Sequence, residues 1–263
     1  MHSKPFLLFS LFASLQCNDN IASSTHSDSS RKRLLTKVEN DLNPYGSINE
    51  IPLPNGFARI KNEEGSFANW LLNVKLKKDK TVFTFDGKRK ANQTVQFAVL
   101  DISVGNQNLQ QCADAVMRLR AEYLFASKKY SSIQFTDNEK NSYQFNEPFT
   151  VGHLHQYLQK VFGMCGSASL SKQLHPVSLK DIEPGDVFIR GGFPGHAVMV
   201  MDVAQDKEGE KIYLLAQSYM PAQDIHVLVN YANKNLSPWY FVNDDELIQT
   251  PEYIFRKEEL KRW

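Results

Sequence analysis

Apolar residues recur at helical spacing over one long segment of this chain. Intervals of three and four residues separate its apolar positions, which are Leu109, Cys112, Val116, Leu119 and Tyr123. This period predicts an amphipathic helix over residues 109–126, with Asn108 as its N-cap. Shorter patterns predict helices after Ser66, over residues 67–74, and over residues 151–162.

The second half of the chain contains the clearest strand patterns. Three β-rich runs, at residues 186–189, 196–203 and 212–216, are joined by a glycine-rich turn and a charged turn. Their spacing predicts an antiparallel meander, to which residues 225–229 add a fourth strand. Because helical patterns precede this run of strands, we expect a single α+β domain.

Three segments before the meander are predicted from shorter patterns. Residues 82–85 resemble a strand that ends at the turn Asp86-Gly87, and residues 97–104 resemble a buried strand. Polar residues dominate the segment 128–146, which we expect to form a hairpin or a loop.

The first residues have the pattern of an export signal. Residues 6–15 are apolar apart from two serines, too short a run to span a bilayer but typical of a signal peptide, here over residues 1–17. Cys17 lies where a bacterial lipoprotein carries its lipidated cysteine; the alternative is a cleaved signal in which Cys17 has no role. Polar residues 18–45 are predicted to be a tether, and residues 46–263 the domain. We therefore expect an exported protein of the cell envelope or periplasm, held at the membrane if Cys17 is lipidated.

Composition and charge exclude several classes of protein. The chain is 42% hydrophobic and 22% charged, which excludes wholesale disorder and coiled-coil arrays. Thirty basic residues against 29 acidic ones leave a net charge of +1. Proteins that bind nucleic acid carry a basic excess, so we expect no nucleic acid partner. Three cysteines are too few for a disulfide scaffold, so each is interpreted singly.

A cysteine and a histidine occupy positions suited to nucleophilic catalysis. Cys112 lies in the opening turn of the predicted long helix, whose N-terminus lowers the pKa of a thiol, and His196 opens a predicted strand. A thiol nucleophile requires such a base, and the base requires a third group to fix its tautomer. Gln217, at the end of the next strand, is the first candidate for that group; Asp202, on the same strand face as His196, is the alternative. Each of these residues could instead have a structural role, since free cysteines are commonly buried in cores.

Further candidates surround this pair. Asn106 and Gln107 lie shortly before Cys112 and could donate hydrogen bonds to an oxyanion, together with the amide of Cys112. Gly195, without a side chain, could let a substrate approach His196. His153 and His155 lack the spacing of a zinc site, so we expect no metal, and we predict no cofactor.

These motifs resemble those of the NlpC-type and CHAP-type papain-like cysteine peptidases. The similar segments are 111–116 (QCADAV), 181–189 (DIEPGDVFI), 195–200 (GHAVMV) and 214–217 (LLAQ). The resemblance covers about residues 108–222 and implies a helix packed on an antiparallel sheet, with Cys112 as nucleophile, His196 as base and Gln217 as orienting residue. The interval between Cys112 and His196 is longer than is usual in those peptidases, which implies an insertion over about 128–164. Residues 45–105 have no counterpart in the minimal catalytic domain.

From residue 51 onward the chain also resembles the bacterial domain of unknown function 4846. The similar phrases are 99–105 (VLDISVG), 110–116 (QQCADAV) and 215–223 (LAQSYMPAQ). This family has no assigned activity and implies none. The leading hypothesis is an exported cysteine hydrolase acting on peptide or amide bonds, with peptidoglycan fragments as substrate by analogy of fold and compartment. The alternative is a non-catalytic envelope module that keeps a papain-like fold for binding or scaffolding.

Overall fold

The computed structural model describes residues 42–263, in which four helices are present. They are α1 (Phe67–Leu72), α2 (Cys112–Ala126), α3 (Val151–Met164) and α4 (Ser167–Gln173). The hydroxyl of Ser66 accepts a hydrogen bond from the third amide of α1, and the hydroxyl of Thr150 does the same for α3. The three predicted helices are therefore confirmed, and α4 is an additional short one.

The long helix begins later than its pattern predicts. Its N-cap is Gln111, whose N–H donates to the Asp114 carboxyl at 2.9 Å. Asn108 caps no helix and instead accepts a hydrogen bond from the amide of Ala222 at 2.8 Å. This start makes Cys112 the first residue of α2.

Thirteen short strands lie within the described residues. They are β1 (Ala58–Arg59), β2 (Gln96–Val99), β3 (Gln134–Thr136), β4 (Ser142–Gln144), β5 (His175–Pro176), β6 (Val187–Arg190), β7 (His196–Gln205), β8 (Lys211–Gln217), β9 (His226–Leu228), β10 (Tyr240–Phe241), β11 (Leu247–Gln249), β12 (Ile254–Arg256) and β13 (Leu260–Arg262). Nine form one antiparallel sheet in the order β2-β9-β8-β7-β6-β13-β5, with β1 also paired to β7 and β10 to β8. The predicted meander is β6-β7-β8, and β9 is its predicted fourth strand. The mixed α+β class is confirmed.

Side-chain alternation along the central strand β7 separates two apolar layers. Ala197 and Met199 belong to the layer covered by α2 and the other helices. Val198 and Val200 belong to the opposite layer, covered by residues near the C-terminus such as Phe255. The sheet is consequently buried on both faces, and β7 lies at the centre of the fold.

The predicted strand over 82–85 is replaced by a tight turn. Phe83 forms a single bridge with Arg89, and the amide of Thr84 donates to the carbonyl of Lys88 at 2.8 Å. Gly87 closes the turn with φ of +75°, a conformation that favours glycine. The segment is too short for a ladder, and it ends at the buried Lys90. The strand predicted over 97–104 is likewise shorter than expected, and only β2 forms there; the segment 128–146 contains the hairpin β3-β4.

Most predictions for the N-terminus fall on residues 1–41, outside the described residues. These are the signal peptide, the lipidation of Cys17 and the greater part of the tether. Asn43, at the start of the described chain, is buried and donates to the carbonyls of Tyr45 and Lys77. Among residues 42–263, every helix is too short or too polar to cross a bilayer.

Candidate functional site

The Cys112 thiol lies against the start of β7. The backbone N–H of Ala197, the residue after His196, is directed at the thiol. Val200 forms its backbone hydrogen bonds on the edge of β7 that faces β6. Successive backbone N–H groups along a strand point to opposite edges. The N–H of Ala197 therefore points towards β8, which has ended at Gln217. The sulfur therefore lies beside β7 in the plane of the sheet, at the position where β8 no longer continues.

A cavity of about 240 Å³ gives access to this sulfur. Cys112, Asp114, Cys165, Gly195 and Met220 are among its lining residues. Cys112 and Cys165 are both free thiols. The side chains of Phe193 and Met220 are exposed at the same cavity, Phe193 completely. A substrate that reaches the thiol therefore passes between apolar side chains.

Burial controls the ionisation of the thiol. It raises the pKa of Cys112 to about 11, and the neighbouring Asp114 charge adds to the rise. Backbone amides at the start of the helix act in the opposite direction but are outweighed. The expected lowering by the helix N-terminus is therefore present but does not decide the pKa, because desolvation disfavours the thiolate more than the helix favours it. Burial also raises the pKa of Asp114 to about 8.

The structure brings His196 and Gln217 together. The imidazole Nε2 lies 2.8 Å from Oε1 of Gln217. The imidazole is enclosed by the rings of Tyr219, Tyr253 and Phe255, with centroids 4.9, 5.0 and 5.8 Å away. This burial lowers the pKa of His196 to about 4. The imidazole is neutral at pH 7 and can accept a proton.

The thiol lies against the backbone amide that follows His196. No hydrogen bond joins Cys112 to His196 within the described part of the chain. Catalytic hydrogen bonds are often long in a free enzyme and tighten on substrate binding. Because Gln217 occupies Nε2, Nδ1 is the ring nitrogen of His196 without a hydrogen-bond partner among the described residues.

The structure also bears on two other predictions about His196. Asp202 does not orient it: a β-bulge follows Val200, and the Asp202 carboxylate binds Nε of Arg59 at 2.8 Å. The space above Gly195 is also filled, since a Cβ there would lie 2.3 Å from the hydroxyl oxygen of Ser167. Gly195 is therefore required for the packing of its loop, while its backbone lines the Cys112 cavity.

The oxyanion candidates Asn106 and Gln107 lie elsewhere. Both are exposed and line a separate depression that includes Arg118. The residues with amide side chains that line the Cys112 cavity are Gln111, whose Nε2 donates to Asn108, and Asn108 itself. Oδ1 of Asn108 is engaged by the amide of Ala222, so its Nδ2 is the end available to a ligand. The sequence offered no signal to separate Asn108 from Asn106, because the difference arises from where the chain turns before α2.

Sequence reasoning also missed two charged residues beside Gln217. The side-chain Nε2 of Gln217 donates to Oε2 of Glu252 at 2.7 Å, and Nζ of Lys90 lies 2.5 Å from the same oxygen. Glu252 and Lys90 are 162 positions apart in the chain. Neither belongs to a motif, so only the fold connects them to the site.

The described residues contain no group of three or more potential metal ligands. His153, considered above for metal binding, has its Nδ1 2.9 Å from the carbonyl oxygen of Pro148. Cys165 lies beside Ser169 near the start of α4.

The fold and site together define a class: a mixed α+β domain with a cysteine at a helix start beside a buried histidine–glutamine pair. Comparison with known families matches the domain of unknown function 4846 over residues 48–154 and 147–262. The chain therefore belongs to this family. Comparison with curated proteins gives no match, and comparison with solved structures gives none either.

Proposed function

We propose that this protein is an exported cysteine hydrolase that cleaves amide bonds in peptides of the cell envelope. The observation that carries the proposal is the hydrogen bond between His196 and Gln217 beside a cysteine that opens a helix at a cavity. A papain-like catalytic core, suggested by the resemblance of residues 108–222, is part of the same proposal. A fold alone does not imply an activity, so the proposal rests on the site.

In the proposed reaction the neutral thiol of Cys112 attacks the carbonyl carbon of the substrate amide. Nδ1 of His196 accepts the thiol proton as the carbon–sulfur bond forms, and returns it to the leaving nitrogen as the carbon–nitrogen bond breaks. Water then attacks the resulting thioester, giving up a proton to His196, and the Cys112 thiol is regenerated with that proton. Because thiol and imidazole are both neutral at rest, the charges arise only during the reaction.

The negative charge that develops on the carbonyl oxygen requires hydrogen-bond donors. The first amides of α2 have no acceptor within the helix, so the amide of Cys112 is one donor. Nδ2 of Asn108, at the same cavity, is the second. The substrate class, a peptidoglycan peptide or a similar envelope peptide, follows from the predicted export and from analogy.

The pH dependence of hydrolysis tests the proposal. We expect kcat/KM for hydrolysis of peptidoglycan fragments to rise with pH as His196 loses its proton, with a midpoint near pH 4. It should fall again near pH 8, because ionised Asp114 disfavours negative charge on the Cys112 sulfur. Release of new amino groups from purified muropeptides, followed from pH 3 to pH 10, provides the measurement.

Asp114→Asn is the matched control for the expected fall in kcat/KM near pH 8. Its amide oxygen can still accept the N–H of Gln111, but the side chain cannot ionise, so the fall near pH 8 should disappear. If the rise in kcat/KM at acid pH had its midpoint near 6.5, the titrating group would be a solvated histidine and not the buried His196. Absence of hydrolysis of every tested muropeptide would contradict the proposed function.

A charge-matched pair of variants tests the oxyanion donor. Asn108→Asp keeps an acceptor for the amide of Ala222 and removes the donor Nδ2, so we expect kcat to fall about 100-fold or more. Asn106→Asp makes the same charge change in the separate depression and should leave kcat within about threefold. Equal losses in both variants would show that charge, and not the lost donor, is responsible.

A non-catalytic envelope module is the second candidate function. Two observations favour it: burial raises the pKa of Cys112 to about 11, and no hydrogen bond between Cys112 and His196 is found in the described chain. Alkylation of Cys112 with iodoacetamide, in a background with Cys17 and Cys165 replaced by serine, distinguishes the two. If His196→Ala leaves the alkylation rate unchanged at every pH, the thiol and imidazole act independently and the binding module is favoured.

A further inference from the structure

The hydrogen bonds beyond Gln217 form a chain that ends in an ion pair. His196 is bonded to Oε1 of Gln217, Nε2 of Gln217 to Oε2 of Glu252, and the same oxygen to Nζ of Lys90. The Lys90 side chain is 8% exposed and that of Glu252 15%. Both charges are therefore largely withdrawn from water and paired with one another.

The direction of this chain follows from what each group can donate. An ionised carboxylate only accepts hydrogen bonds, so the NH₂ end of the Gln217 amide must face Glu252. The carbonyl end then faces His196 and can only accept. The hydrogen of the neutral imidazole is consequently on Nε2, and the lone pair is on Nδ1.

We propose that the Lys90–Glu252 ion pair sets the tautomer of His196 by fixing the orientation of the Gln217 amide. Both residues are positioning residues that act through Gln217 and contact no substrate. The consequence for chemistry rests on the proposed function, because only the Nε2–H tautomer leaves Nδ1 free to accept the proton of Cys112. The tautomer itself can be observed whether or not the protein hydrolyses anything.

Lys90 is needed because a buried carboxylate without a counter-charge takes up a proton. A protonated Glu252 becomes a donor and can bind the carbonyl end of Gln217, which would turn the amide around. Lys90 is itself held in place: its N–H donates to the carbonyl of Val82, and its ammonium lies 5.4 Å from the ring centre of Tyr219. The turn over residues 82–90 therefore holds the Lys90 ammonium beside Glu252.

Both members of the pair come from outside the segment that resembles the peptidases. Lys90 precedes residues 108–222 and Glu252 follows them. The other titratable or charged groups close to the pair are Cys112, His196, Tyr219, His226 and Tyr253, together with Asp86, Lys88 and Arg89, which line the same depression as Lys90 and Glu252. Glu252 is the carboxylate that contacts Lys90, so loss of Lys90 acts most directly on Glu252.

The experiment is ¹⁵N NMR of the His196 ring in the full chain labelled with ¹⁵N-histidine, with His196→Gln used to assign its signals. In the wild type we expect the Nε2–H tautomer throughout pH 6 to 9. In Lys90→Met we expect the same tautomer at pH 9 and conversion to Nδ1–H as the pH falls and Glu252 is protonated. Lys88→Met is the control. It removes a cation from the same turn, but the partner of Lys88 is Asp86.

Two variants of Glu252 keep the proposal testable if Lys90→Met does not fold. Glu252→Gln retains an oxygen that accepts from Lys90 and Gln217, so the Nε2–H tautomer should persist. Glu252→Met removes the acceptor, and a mixture of tautomers is expected. An Nδ1–H tautomer in the wild type, or pure Nε2–H in both Lys90→Met and Glu252→Met from pH 6 to 9, overturns the proposal.

The two proposals fail in different ways. If the tautomers behave as expected and no peptide is cleaved, the positioning role stands and the hydrolase does not. If hydrolysis is present, we expect the kcat of Lys90→Met to be at least tenfold below that of the wild type at pH 6 and to match that of the wild type at pH 9. A merely structural role for Lys90 would lower kcat equally at both pH values.

Discussion

Replacing Cys112 with serine is expected to reduce hydrolysis of envelope peptides at least about 1,000-fold, because a serine hydroxyl is a far weaker nucleophile in a site built around a thiol. The two side chains are similar in size, so the free energy of unfolding should change by only about 1 kcal/mol or less. Loss of activity with retained stability assigns the effect to chemistry. The measurement is single-turnover cleavage of a muropeptide, with unfolding in urea as the test of stability.

Cys165→Ala is the matched control for this variant. Cys165 is a free thiol that lines the same cavity, but it follows the C-terminus of α3 and does not open a helix. We expect its loss to leave kcat within about threefold of the wild type. A Cys112→Ser variant with wild-type turnover would remove Cys112 from the mechanism.

The largest expected effect on stability comes from Arg59→Met. The carboxylate of Asp202 is completely buried; it binds Nε of Arg59 at 2.8 Å and accepts from the amide of Val203. Removing one partner of a buried ion pair costs roughly 3–5 kcal/mol, because an uncompensated charge stays inside. Unfolding in urea at pH 8 should show a loss of this size.

The same variant has a predictable pH dependence. Burial raises the pKa of Asp202 to about 6, although Arg59 lowers it. An acid whose pKa is higher folded than unfolded loses stability as the pH rises, here between about pH 4 and pH 6. Arg59→Met removes the opposing charge and raises this pKa further. Its cost should therefore be smaller at pH 5, where the carboxyl is largely protonated, than at pH 8.

Two controls separate the buried charge from other effects. In an Asp202→Asn background the charge is absent, so Arg59→Met should cost much less and should lose its pH dependence. Lys257→Met breaks an exposed ion pair with Glu246 and should cost less than about 1 kcal/mol. An equal cost of Arg59→Met at pH 5 and pH 8 would show that the loss comes from packing of the arginine stem.

Local pattern was sufficient for much of the fold. The apolar periods predicted α1, α2 and α3 and the strands β6 to β9, because hydrophobic period and turn residues act over a few neighbours. The same patterns placed His196 and Gln217 at the ends of adjacent strands, and their hydrogen bond is present. The strand predicted at 82–85 is not formed because the tight turn at Gly87 limits its pairing to isolated bridges with Arg89 and Gln223.

The sequence by itself determined the class of the domain and the place of Cys112 near a helix start, and it offered Gln217 and Asp202 as partners of His196, between which the structure decided. The tertiary structure alone decided the ionisation of these groups and the partners that surround them. Burial outweighs the helix N-terminus at Cys112, and Lys90 and Glu252 meet from positions 162 residues apart. Desolvation and charge pairing depend on what the fold brings close in space, which no local pattern along the chain encodes.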